Sequence, residues 1–155
     1  YSLQEDIIEK IFVGAFGHEA ENDLLWKLYL SEDDLKRMVD DGHELGLHGH
    51  SHQVLPRLDY EQQKNELQIS CEFARDITGE KNFCVSFPHG FSNTHTKRAM
   101  KELNMKAGFT MGRNMITPQH IAQRWQLPRY DVNDCFDDNT NDINYEIFSS
   151  LSTGD

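Results

Sequence analysis

The chain has 155 residues, with 15 Lys and Arg against 26 Asp and Glu, a formal charge of −11 and a sequence pI near 5.1. That acidic balance argues against a duplex nucleic-acid binder, which needs a basic stripe to displace phosphate counterions. At 37% hydrophobic and 26% charged residues the chain can bury one domain-sized core, and no apolar run approaches the roughly 20 residues that span a bilayer.

The opening Tyr1-Ser2-Leu3-Gln4-Glu5-Asp6 has no basic segment leading into an apolar one, so the compartment stays open. Cys71, Cys84 and Cys135 are too few and too far apart for a disulfide framework or a paired thiolate zinc site. Cys71 and Cys84 lie in apolar patterns and are expected as buried core thiols, which favours a reducing compartment such as the cytoplasm.

Ile7, Ile8, Ile11 and Phe12 share one helical face, which predicts a helix over residues 5–16 that stops near Gly14 or Gly17. Residues 24–30 read equally as helix or strand. Ser31-Glu32-Asp33-Asp34 has the form of a capping box, and Leu35, Met38 and Val39 repeat at helical spacing up to Gly42. A short strand over residues 44–47 follows and runs into a histidine cluster. Asp59 heads a long helix with the inward seam Leu67, Cys71, Ala74 and Ile77 and a stop at Gly79. Further on, the pattern predicts a strand over 83–87 and a helix from about Thr94 to Leu103 with Ala99, Met100 and Leu103 facing in. A strand over 105–111, a short helix from Thr117-Pro118 to Gln123, an extended segment over 125–132 and a last helix around 143–151 complete the chain. No repeat or linker composition divides it, so 1–155 is expected to be a single domain. Alternating strands and helices imply a parallel α/β sheet, whose functional groups gather at the carboxyl ends of the strands.

At that end of the first strand stands His48-Gly49-His50-Ser51-His52. A continued strand would place all three imidazoles on one side, whereas a loop would bring His48 and His52 together with His50 turned away. Either arrangement offers two nitrogen donors to zinc or another late first-row divalent ion, with a further ligand needed from elsewhere. The plain alternative is a solvated loop or a hydrogen-bonded core cap. Ser86-Phe87-Pro88-His89-Gly90-Phe91-Ser92-Asn93 is a second candidate: Gly90 permits an unusual backbone angle that leaves N–H groups free to face a ligand, as in an oxyanion hole. Read alone, it is also an ordinary strand-to-helix turn with Asn93 as cap. Asp40-Asp41-Gly42 lies upstream of the strand, at its wrong end for chemistry, and reads as a solvated helix terminus. No Gly-x-Ser-x-Gly elbow and no Gly-rich phosphate loop occurs.

Taken together, Gly42-His43-Glu44-Leu45-Gly46-Leu47-His48-Gly49-His50-Ser51-His52 and Phe87-Pro88-His89-Gly90-Phe91-Ser92-Asn93, with Ala107-Gly108-Phe109-Thr110 after the helix, resemble the polysaccharide deacetylase family, or NodB-homology domain. The likeness covers about residues 31–132. It implies part of a distorted (β/α) barrel, a carbohydrate substrate, and hydrolysis of an N- or O-acetyl group with a divalent metal, zinc first. The first and last histidines of the family's HxxxH ligate that metal, which carries over to His48 and His52. In the family's chemistry the metal polarises the acetyl carbonyl, an aspartate acts as base, and a backbone N–H helps to stabilise the oxyanion. That N–H falls to His89, where the family usually has Tyr; Gly90 and Phe91 would flank the substrate, and Arg129 is the candidate to orient a carboxylate.

The sequence departs from the pattern in places. No Asp-Asp-Gly follows a first strand, so the family's base and third metal ligand have no counterpart; no histidine follows His120 to serve as general acid; Gln53 replaces a Pro, and Ser86 stands where many members carry Arg. A closed barrel takes about 250 residues, so a missing N-terminal strand pair is one explanation. An inactive carbohydrate-binding or biosynthetic accessory domain is another, and a metal-binding interaction module using His48, His50 and His52 is a third. Oligomeric state is unassigned.

Overall fold

The structure is a computed structural model that describes residues 3–18, 20, 24, 27–136 and 143, in two compact units, Tyr1–Glu44 and Leu45–Asp155. In the first unit, α1 spans Leu3–Phe16 and α2 spans Glu32–Asp40. The expected capping box starts α2: the Asp34 N–H donates to the Ser31 hydroxyl at 3.1 Å, and the Ser31 N–H donates to the Asp34 carboxylate at 2.8 Å. The Ser31 hydroxyl and amide, with Arg37 beside them, hold the Asp34 carboxyl down to about 2. The expected helix forms, and Ile7, Ile8 and Ile11 on its apolar face are exposed. Periodicity puts apolar residues on one face but says nothing of what covers it. Of the described part of 24–30, Leu24, Lys27 and Leu28 are helical, and Tyr29 and Leu30 lie in the bend that follows.

In the second unit, α3 (Tyr60–Thr78), β1 (Cys84–Ser86), α4 (Thr94–Glu102), β2 (Ala107–Phe109) and α5 (Pro118–Ala122) follow in order. Asp59 accepts from the Gln62 N–H at 2.9 Å and Asn93 from the Thr96 N–H at 3.0 Å, so both long helices begin at side chains that satisfy otherwise unpaired donors. β1 and β2 pair in parallel with Val85 opposite Gly108. Leu47 bridges Val85 and Leu127 bridges Phe109, both in parallel, so four segments run side by side in the order Leu47, β1, β2, Leu127.

The strands are shorter than the sequence suggested. Of 44–47 only Leu47 pairs, with its N–H on the Cys84 carbonyl at 2.8 Å and its carbonyl accepting from Ser86 at 2.9 Å. Pro88 and Pro128 have no N–H to extend a ladder, and residues 124–126 form a 3₁₀ turn rather than extended chain. The helix expected over 143–151 lies outside the described residues apart from Ile143, which bridges Phe136.

The core of this unit joins Leu67, Cys71 and Ala74 of α3 to Val85, Phe87, Ala99 and Met100, with Leu103 packed against it. Cys71 is a core thiol, and burial raises its pKa. Cys84 is only half-buried, because Val85 is the β1 residue that turns fully inward. A buried polar link fastens α3 to α4: the Thr96 hydroxyl donates to Gln63 Oε1 at 2.6 Å, and Gln63 Nε2 donates to the Leu58 carbonyl at 2.9 Å.

Candidate functional site

The chain leaves the sheet immediately after Leu47. Gly49, at φ 79°, turns it away from the strand path, and a Cβ there would lie 3.3 Å from Pro88 Cγ. Residues 48–52 therefore form a loop. His48 Nδ1 lies 2.6 Å from the Ser86 carbonyl. A carbonyl only accepts, so Nδ1 carries the proton and the Nε2 lone pair is left free. The His48 and His52 rings approach to 5.0 Å between centroids, and the His52 and His89 rings to 4.9 Å. All three are on the surface.

The His50 backbone is used differently, its N–H donating to Glu66 Oε2 at 3.1 Å. Ser51 adds its own N–H at 2.8 Å and its hydroxyl at 2.6 Å to the same carboxylate. Burial of Glu66 works to raise its pKa, but the Ser51 hydroxyl and the Ser51 and His50 amides outweigh it and hold the carboxyl below the ordinary value. Glu66, 9% exposed on α3, thus anchors the histidine loop. Sequence reasoning missed it. The available signal was its place beside Leu67 and three residues after Gln63, on the side of the helix that carries the buried seam.

The Pro88–Gly90 turn faces this loop. His52 and His89 hold left-handed backbone angles, φ 55° and 56°, which side-chain-bearing residues adopt rarely. At Gly90, φ 73°, a Cβ would sit 2.5 Å from Met111 Cγ and 2.8 Å from Met111 N, so only glycine fits. The Gly90 N–H is spent on the Phe87 carbonyl at 2.8 Å, whereas the His89 N–H has no acceptor among the described residues. Phe91 is 58% exposed next to it.

Arg129 is held by backbone beyond the end of β2. Its Nε donates to the Thr110 carbonyl at 3.1 Å, and its side chain lines a surface cavity of about 250 Å³ with Met111, Arg113, Asp131, Asn133 and Asp134. Arg113 and Asp134 form an ion pair there at 2.5 Å. Asp40 and Asp41 are exposed, with Asp41 capping α2. As the side chains stand, no three His, Cys, Asp or Glu among the described residues are arranged to hold a metal ion. No helix among the described residues is long and apolar enough to cross a membrane.

Parallel strands with helical crossovers thus form an α/β unit that carries a histidine loop facing a proline-glycine turn at the carboxyl ends of its strands. The family model for polysaccharide deacetylase matches residues 10–108, and the chain belongs to that family, the NodB-homology domains. It is similar to a peptidoglycan deacetylase of Helicobacter pylori, with 27% identity over 89 residues, 57% of this chain and 30% of the relative. Among solved structures it is similar in fold to a Streptococcus pyogenes deacetylase in complex with acetate (TM-score 0.61, 21% identity, 65% of this chain and 44% of the other). A polysaccharide deacetylase from Bacillus cereus is similar too (TM-score 0.58, 23% identity, 65% and 32%). The chain thus spans about a third to under a half of the length of these relatives.

Proposed function

We propose that the chain belongs to a metal-dependent hydrolase that removes an acetyl group from an N- or O-acetylated carbohydrate, as part of a single distorted (β/α) barrel domain. The observation that carries this reading is the 5.0 Å approach of the His48 and His52 rings beside the His89-Gly90 turn. The donor chemistry fits a zinc-like ion: the Ser86 carbonyl fixes the His48 tautomer with Nε2 available, the orientation that histidine ligands commonly receive from a neighbouring carbonyl. His48 and His52 would hold the ion. When bound, it supplies Lewis-acid polarisation of the acetyl carbonyl and a more acidic water.

The other residues act on substrate. The His89 N–H faces the developing oxyanion, where a preorganised backbone donor is worth most because it need not reorient during reaction. Gly90 keeps that approach open, and the exposed ring of Phe91 offers an apolar face to the sugar. Arg129, fixed on the Thr110 carbonyl, orients a carboxylate.

The test is acetate release from an N-acetylated oligosaccharide. The 155-residue chain by itself is expected to release none. Joined to an Asp-bearing strand of the family type, it is expected to release acetate only with divalent metal, and to lose that activity in His48→Ala. Release unaffected by chelator or by that substitution overturns the mechanism. A joined chain that binds the oligosaccharide yet never releases acetate makes it an inert carbohydrate-binding relative instead.

A further inference from the structure

We propose that the cavity beyond the end of β2 is a subsite for a carboxylate carried by the substrate, with Arg129 as the residue that selects it; the inference rests on the carbohydrate reading above and narrows the substrate class to an acidic glycan. Backbone pairing puts the arginine in place. Leu127 bridges Phe109 in parallel, and two residues on Arg129 donates its own N–H to the Gly112 carbonyl at 3.0 Å. Its Nε donates to the Thr110 carbonyl at 3.1 Å. Held at both points, the side chain has given up much of its freedom before any ligand arrives, which lowers the entropy cost of binding.

The charges lining the cavity leave that guanidinium as the one without a matching carboxylate. Asp134, its side chain 7% exposed, is used on both oxygens, Oδ1 by Arg113 and Oδ2 by the Asp131 N–H at 2.8 Å. Asp131 Oδ1 accepts from the N–H and Nδ2 of Asn133 at 3.0 and 2.9 Å. Among the described residues no carboxylate lies within ion-pairing distance of Arg129, and its two terminal nitrogens have no acceptor. An arginine in that state presents a planar fork of N–H groups that matches the two oxygens of a carboxylate.

Position ties the cavity to the turn that faces the acetyl group in the proposed reaction. Met111 lines the cavity and also lies against Gly90, where a Cβ would meet Met111 Cγ at 2.5 Å. One side chain therefore separates a group in the cavity from the His89-Gly90 turn, as a neighbouring unit of the same glycan requires. At about 250 Å³ the cavity lies just below the roughly 300–1,000 Å³ of small-molecule sites, so it takes one unit and not a longer stretch. The chain's charge of −11 repels an anionic glycan at long range, and an unmatched arginine held at this place reverses that locally.

Calorimetric titration of the 155-residue chain tests this with two N-acetylated oligosaccharides that differ at one group: one carries a uronic-acid unit, the other the same unit with its carboxylate reduced to the alcohol. Wild type is expected to bind the acidic one at least about tenfold tighter, the worth of a hydrogen bond to a charged group. Arg129→Gln should bring the two affinities together, and Arg129→Lys, which keeps the charge without the fork, should retain only part of the preference. Far-UV dichroism confirms that each variant is folded. Equal affinities in wild type overturn the carboxylate subsite and leave the carbohydrate reading standing. A preference that survives Arg129→Gln places the anion elsewhere and overturns the subsite too. The same unit bearing a phosphate ester in place of the carboxylate should bind less tightly than the acid; tighter binding would make the group a phosphate and overturn the assignment. If the wild-type chain binds neither oligosaccharide, the subsite and the carbohydrate reading both fail.

Discussion

Glu66 shows how one buried side chain can set the geometry of a site it does not belong to. Its two oxygens take three donors from His50 and Ser51, midway between His48 and His52. Truncating it removes a charged acceptor from three donors, but His50 and Ser51 are exposed and water replaces part of what is lost, so Glu66→Ala is expected to destabilise the fold by about 1–2 kcal/mol in urea unfolding. The pH dependence follows from its depressed pKa. The contribution is fully present above the unfolded carboxyl value near 4.5 and is lost as pH falls through the lower folded value. The stability gap between wild type and Glu66→Ala should be widest at neutral pH and narrow as pH falls below about 4.5; a gap independent of pH would remove Glu66 from this role.

Between elements, a second carboxylate ties α3 to α4. Glu102 accepts from Lys64 Nζ at 2.8 Å, the Tyr60 hydroxyl at 2.5 Å and Arg98 Nε at 3.0 Å, and these partners, Lys64 foremost, hold its pKa down to about 2. The Arg98 guanidinium also lies 4.2 Å over the Tyr60 ring. The cluster is exposed, so salt screens it. Its stabilisation is present above about 4.5 and fades as pH falls towards about 2. Wild type should lose stability faster than Glu102→Gln across that window in low salt, and the two acid-unfolding curves should converge in high salt. Parallel curves in low salt would show that the pair contributes nothing.

The same elements show what could be read in advance. Ser31, Asp59 and Asn93 were legible as helix starts because a cap acts within three residues. Leu67, Cys71 and Ala74 were legible because helical periodicity marks an inward face. The links through Gln63 and Thr96, or Glu66 and Ser51, join residues 33 and 15 positions apart, and no local pattern carries them. Strand ends failed for a related reason: extended segments were read at 44–47 and 125–132 from local pattern, but how far a strand runs depends on pairing with a distant neighbour. The histidine pair was legible from motif and strand end together, whereas the nearness of His89 required two strands to be adjacent.

On the scale of the whole molecule, that adjacency would link the proposed metal binding to folding. Leu47 and Val85 are bridged in parallel, so the loop bearing His48 and His52 and the turn bearing His89 leave the sheet from neighbouring strand ends. The ring of His48 is oriented across that pairing by the Ser86 carbonyl, 38 residues away in the chain, so the proposed ligands His48 and His52 take their folded arrangement only once the sheet has formed. A ligand that binds the folded state alone stabilises it by RT ln(1 + [L]/Kd), about 2.7 kcal/mol at a free concentration 100 times Kd. Zinc should therefore raise the melting temperature of the 155-residue chain in a concentration-dependent way, and EDTA should reverse it. His50→Ala should keep the full shift. The double variant His48→Ala/His52→Ala should lose it, while its melting temperature without metal should stay close to wild type, since both side chains are exposed and surface substitutions usually change stability by about 0.5 kcal/mol or less. An equal zinc-induced shift in wild type and the double variant would place the stabilising ion elsewhere and detach it from the histidine loop.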